Sequence, residues 1–174
     1  LPVEVYHNPE DYRFRADENI PPYTLRFLAE NVPACGYKVV HLRDGKAENV
    51  QTPLKVNSRD GTMENEHLRV RFNPNGTVDV TEISSGVTFK GLHVFEDVGD
   101  NGDEYNYSKL REDTVFTSEN LNAEISFEEH PMLATAVIRI EMLLPEGLDE
   151  GNRNRRSGRM KPLRICLLST SDAA

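Results

Sequence analysis

Tryptophan is absent from the 174 residues, aromatic side chains make up only 7% of them, and cysteine occurs twice. Each shortage excludes something. Cys35 and Cys166 cannot build the disulfide framework of a small secreted domain, and they lack the paired spacing of a zinc site. They favour a reducing compartment, so a cytoplasmic location is expected. No apolar run approaches the roughly 20 residues of a membrane-spanning helix. No signal-peptide pattern is visible, and the chain opens on Leu1 within a strand pattern rather than on Met, so we expect a piece of a longer protein. Positive charge is in deficit. With 20 Lys and Arg against 29 Asp and Glu, the formal charge is −9, which argues against nucleic acid or an anionic membrane as partner. Hydrophobic residues, at 37%, are few for a compact independent domain but too many for a disordered chain. The sequons at Asn75 and Asn106 both fall in turn-forming stretches and do not establish secretion.

Helical signals are missing as well. No segment combines an apolar stripe at helical spacing, a cap and sufficient length. Period-two alternation recurs instead, and the predicted class is all-β. Strands are expected over residues 1–6, 23–29, 37–42, 66–72, 77–83, 87–89, 93–96, 114–117, 121–127 and 133–144. In 66–72 the inward residues are Leu68, Val70 and Phe72, and Asn73-Pro74-Asn75-Gly76 is the hairpin turn that follows. Within 133–144, Val137, Ile138 and Ile140 favour strand over helix. Pro33 and Gly36 mark a turn, and Ser84-Ser85-Gly86 marks another. Residues 151–164 carry five Arg and one Lys without interleaved aromatics, and a solvated loop between strands is the expectation there.

One stretch concentrates chemistry. Residues 93–108 read HVFEDVGDNGDEYNYS. The alternation of a strand gives way to Asp97, Asp100, Asp103 and Glu104 around Gly99 and Gly102, followed by Tyr105, Asn106 and Tyr107. Such a loop suits a sugar. Carboxylates and amides bond hydroxyls, and aromatic faces cover the apolar side of a pyranose. The same composition also describes an ordinary solvated turn. Catalytic constellations are absent from the sequence. His7, His41, His67, His93 and His130 form no metal-binding pair, and there is no nucleophile elbow. Asp100 and Asp103 could act as acid and base, yet glycosidase carboxylates flank the scissile bond from separate elements. Asp100, Gly102 and Glu104 lack the spacing of a calcium loop. No complete active site is legible.

Four stretches carry a resemblance. Glu64-Asn65-Glu66-His67-Leu68-Arg69-Val70, then Asn73 to Thr77, resembles the "ENE-x-L-x-V…NGT" opening of the C-terminal β domain of glycoside hydrolase family 38, the zinc-dependent α-mannosidases. Residues 92–108 are similar to that domain's "L-x-x-FED-x-x-D-x-GDEYNYS" stretch, and residues 32–37 to the "VPPLGY" turn that closes a small β domain before it. Arg155-Arg156-Ser157 fits a downstream loop of the family.

The resemblance implies an antiparallel β-sandwich of the galactose-mutarotase-like supersandwich type. Residues 1–45 would end the small β domain, 46–62 would form a linker and 63–165 would begin the large sandwich. Residues 166–174 resemble a translated sequencing adapter and are expected to be a non-native tail, with a natural short strand over residues 166–168 and a polar tail as the alternative. The resemblance further implies a retaining α-mannosidase or mannosylglycerate hydrolase acting on a terminal α-mannoside. Its zinc ligands and aspartate nucleophile would lie in a catalytic domain upstream, and no catalytic or metal-binding residue matches here. Tyr105 would approach the bound mannose with Asp103 beside it. Tyr107 is the competing position, and Asp100 completes the candidate set. The alternative is a stand-alone β-sandwich module that binds carbohydrate or protein.

Overall fold

The computed structural model describes residues 3–7, 23–27, 29–43, 45, 54–130 and 132–172. Among them there is no helix. Five strands form an antiparallel meander: β3 (Lys55–Asn57), β4 (Thr62–Glu64), β5 (Leu68–Phe72), β6 (Val78–Glu82) and β7 (Thr88–Leu92). Its turns are built by side chains suited to them. Asn65 Oδ1 accepts the amides of His67 at 2.9 Å and Leu68 at 2.8 Å, turning β4 into β5. Between β5 and β6, Gly76 takes φ 83°, and a Cβ there would lie 2.7 Å from Ile140 Cδ1, so both backbone angle and space demand glycine. Asn75 accepts Thr77 N–H at 3.1 Å and donates to the Glu119 carbonyl at 2.8 Å, tying this hairpin to a distant segment.

The second sheet has three long strands: β10 (Ala123–His130), β11 (Leu133–Pro145) and β12 (Met160–Asp172), with β11 central. Burial alternates along β11 except at Val137, which is buried as well. Ala134, Ala136, Ile138, Ile140, Met142 and Leu144 are buried, while Arg139, Glu141 and Leu143 are exposed. The buried row packs with Met63, Phe72 and Val78 of the five-stranded sheet into one core. Phe72 and Phe127 meet edge to face across it, centroids 5.3 Å apart. Two sheets joined by one apolar layer make a β-sandwich. Each large side chain removed fully from water there contributes about 1.5–3 kcal/mol, and Ile138 is 0% exposed.

Several strand expectations shift. β1 (Val3–His7) and β2 (Tyr23–Phe27) pair as an antiparallel hairpin, Val3 opposite Phe27. Residues 37–42 are not a strand: Tyr37 is 83% exposed and Leu42 72%. Alternation marks a segment able to pair, but a strand also needs a neighbour for its backbone, and among the described residues this one has none. The turn before it does form, with Gly36 N–H on the Pro33 carbonyl at 3.0 Å. Residues 93–95 are irregular, because His93 sits at φ 70°; only Glu96–Asp97 (β8) pairs, with Phe116–Thr117 (β9). In β5, Phe72 is buried but Leu68 is 40% exposed, since the core lies under only one end of that strand. Residues 55–57, inside the stretch expected as a linker, form β3. The stretch expected as a tail lies largely in β12, with Cys166 opposite Arg139 and Asp172 opposite Leu133.

Candidate functional site

The loop that follows β8 is anchored at its root before it reaches solvent. Ser118, fully buried, exchanges bonds with Phe95: its hydroxyl accepts Phe95 N–H at 3.0 Å, and its own N–H reaches the Phe95 carbonyl at 2.9 Å. Asp97 ion-pairs with Arg156, whose guanidinium also lies over the Phe116 ring, 5.2 Å from its centroid. Gly99 N–H donates to Asp113 Oδ2 at 2.7 Å. Gly99 is buried, and a Cβ there would meet Leu110 Cγ at 3.0 Å and Arg156 Cγ at 3.1 Å. Leu110, 3% exposed, plugs the base of the loop.

Beyond the root, the acids fold the loop around themselves. Asp100 Oδ1 accepts the amides of Gly102 at 2.7 Å and Ser108 at 2.8 Å, closing the loop across its neck. Asn101 N–H on the Ser108 carbonyl, at 2.9 Å, closes it again. Asp103 Oδ1 accepts Tyr105 N–H at 3.0 Å and Asn106 N–H at 2.9 Å. Those two amides, Tyr105 first, hold the Asp103 carboxyl below its ordinary range. Gly99 and Gly102 are not positions of positive φ. At Gly102 the need is space, because an added Cβ would run into the Asn106 carbonyl group. The four candidate residues therefore come together on one loop but divide in role. Asp100 and Asp103 shape the backbone, while the side chains of Tyr105, 84% exposed, and Tyr107, 60% exposed, face solvent.

A second loop, residues 146–159, lies against the first. Arg153 Nε donates to Asn101 Oδ1 at 3.3 Å, and Glu112 N–H donates to the Asn154 carbonyl at 3.0 Å. Asp149 accepts the amides of Gly151 and Asn152, each at 2.9 Å, and a forked pair from Arg155 at 3.0 and 3.2 Å. The Asn152 amide, foremost, keeps the Asp149 carboxyl below its usual range. The basic stretch is thus not a solvated loop throughout. Arg156 has only 11% of its side chain exposed, and it lines a cleft of about 370 Å³ with Glu112, Asp113, Phe116, Arg155 and Met160. Sequence reasoning missed this convergence, because 59 residues separate Asp97 from Arg156. The available signal was an Arg-rich run in an acidic chain whose residues 93–108 carry no Lys or Arg.

The arrangement can present hydroxyls and aromatic faces from a preshaped loop. Among the described residues no three His, Cys, Asp or Glu side chains converge on a metal site. The described residues do not fit a resident zinc ion. No helix of the described residues is long and apolar enough to cross a membrane.

No family model matches the chain. Over 90 residues, 51% of its length, it is 31% identical to a Halalkalibacterium halodurans protein named "Putative mannosylglycerate hydrolase". Among solved structures it is similar to an α-mannosidase from Enterococcus faecalis V583, with TM-score 0.70 and 30% identity over 75% of this chain. It is also similar to a glycosyl hydrolase family 38 protein from Enterococcus faecalis, with TM-score 0.69 and 30% identity over 74%. The chain spans 10% of the first relative's length, and 16% and 17% of the two structures. In sequence and in fold the chain is similar to a β portion of glycoside hydrolase family 38 proteins.

Proposed function

We propose that this chain is the non-catalytic β portion of a retaining α-mannosidase and lends the loop of residues 99–108 to the sugar site. The observation that carries the reading is the 30% identity and shared fold with the Enterococcus α-mannosidase. The loop supports it independently. Asp100 and Asp103 hold its backbone, so Tyr105 projects from a shaped platform without extensive reordering on binding. A phenol there donates to a sugar hydroxyl and its ring excludes water. Bond cleavage falls to groups elsewhere in the longer protein, including the zinc and aspartate that the resemblance implies. The substrate is a terminal α-mannoside, with mannosylglycerate as a specific candidate because of the Halalkalibacterium relative. Exposed, unpaired Cys35 and Cys166 support a cytoplasmic setting.

The test is made in the longer protein that carries this chain. Tyr105→Phe removes one hydroxyl and Tyr105→Ala the ring as well, and Tyr107→Phe controls the choice of tyrosine. A contact made in the transition state lowers kcat/KM by about ten- to a hundredfold on removal, ~1.4–2.7 kcal/mol. If only Tyr107→Phe reduces turnover of aryl α-mannoside, the contact lies two residues along. Full activity in all three variants leaves the loop a solvated turn and refutes the reading.

A further inference from the structure

We propose that Arg156 is the positioning residue that sets the pose of the 99–108 loop, and through it the placement of Tyr105; this deepens, and rests on, the sugar-site reading above. Arg156 is on the opposing loop, yet three parts of the candidate loop's root converge on it. Its guanidinium ion-pairs with Asp97, the last residue of β8, and donates to the Asp97 carbonyl at 3.5 Å. The same group lies over Phe116 of β9, the strand that pairs with β8. Its aliphatic stem, behind Leu110, helps fill the space that a side chain at Gly99 would need. Its own backbone is fixed by a bridge to Leu148. Glu112, Asp113 and Arg155 share the cleft, so other charges lie nearby, but Asp113 is engaged with the Gly99 amide and Arg155 with Asp149.

This geometry calls for arginine in particular. A planar guanidinium can present its edge to a carboxylate and carbonyl while its face covers an aromatic ring; a lysine ammonium is a point charge and cannot do both. The loop root is thus held from two sides, by Arg156 on Asp97 and by Asp113 on Gly99. What lies between root and tip is braced mainly by Asp100 and Asp103, so a tilt at the root is carried to Tyr105 as a rigid displacement. A misplacement of about 1 Å at a substrate-positioning group can cost on the order of a hundredfold in rate.

The experiment combines Arg156→Lys, Arg156→Met and Asp97→Asn with Tyr105→Phe, all in the longer protein. Two readouts are taken: kcat and KM on an aryl α-mannoside, and amide exchange at residues 99–108. We expect Arg156→Lys to lower kcat/KM about tenfold in the native background and less than twofold when Tyr105 is already Phe. It should also speed exchange at the Gly99 and Ser108 amides. Asp97→Asn, nearly isosteric, should show the same coupling and keeps the test available if Arg156→Met does not fold. Additive losses with Tyr105→Phe, or unchanged exchange at 99–108, overturn the positioning role even if activity falls. Activity loss at Tyr105 with none at Arg156 or Asp97 overturns it while sparing the sugar-site reading. No effect at Tyr105 removes both, and the exchange data then show whether Arg156 still orders the loop.

Discussion

Replacing Gly99 by Ala puts one methyl group into the tightest place at the base of the candidate loop. The new Cβ would sit 3.0 Å from Leu110 Cγ and 3.1 Å from Arg156 Cγ, with a Leu110 methyl closer still. Neither neighbour yields freely. Leu110 is 3% exposed, and Arg156 is held by its ion pair and by Phe116. Overpacking a filled site costs about 1–3 kcal/mol, which corresponds to a 5- to 150-fold larger population of the opened root. Moving the backbone instead would lengthen the 2.7 Å bond from Gly99 N–H to Asp113. Native-state amide exchange measures the outcome residue by residue. Exchange at residues 99, 108 and 118 should accelerate by that factor, while the amides of Ile138 and Ile140 in β11 stay unchanged. Equal exchange in variant and native protein would show that Leu110 or the loop moves aside at no cost, and the close-packing argument would fail. Acceleration spread evenly into β11 would show that the loop root and the sandwich open together.

Other measurements follow from the same structure. The chain by itself should not turn over an aryl α-mannoside even with zinc added, because it spans only 16% of the α-mannosidase it is similar to; turnover that survives metal-free repurification would contradict this. In isolation it should bind hydrophobic dyes and self-associate, since Leu68, Phe89, Leu92, Leu163 and Leu168 are 40–69% exposed on or beside its sheets; a sharp cooperative melt of soluble monomer would argue otherwise. Ile138→Ala should destabilise the sandwich by about 2–5 kcal/mol, read from the denaturant midpoint, because the side chain is 0% exposed between the two sheets. Asp103 has a folded pKa below its ordinary 3.8, so its contribution is present above that pH and lost as pH falls through the lowered value. Protection of the Tyr105 and Asn106 amides should therefore persist at pH 4 and weaken below it; Asp103→Asn, which keeps an accepting oxygen, should retain more of it than Asp103→Ala.

The strand pattern was largely written in the sequence, because period-two alternation and turn chemistry are local. Val78 to Glu82, the long run over residues 133–144 and the Asn-Pro-Asn-Gly turn follow from neighbours within a few positions. The acidic, glycine-rich stretch ending in two tyrosines could be marked as a loop with chemistry for the same reason. Pairing is not local. Residues 37–42 are rich in strand-forming side chains, yet among the described residues they find no partner, and Leu68 shares the pattern of Phe72 without sharing its burial. Nor could composition say that Asp100 and Asp103 would turn inward on backbone amides and leave the tyrosines outside. Arg156 is the sharpest case. In the sequence it is one of several arginines in a polar run, and only the tertiary structure sets it against Asp97, Phe116 and Gly99. Propensity and periodicity act over a few residues, whereas an ion pair between positions 59 residues apart exists only once two loops have been brought to the same end of a sandwich.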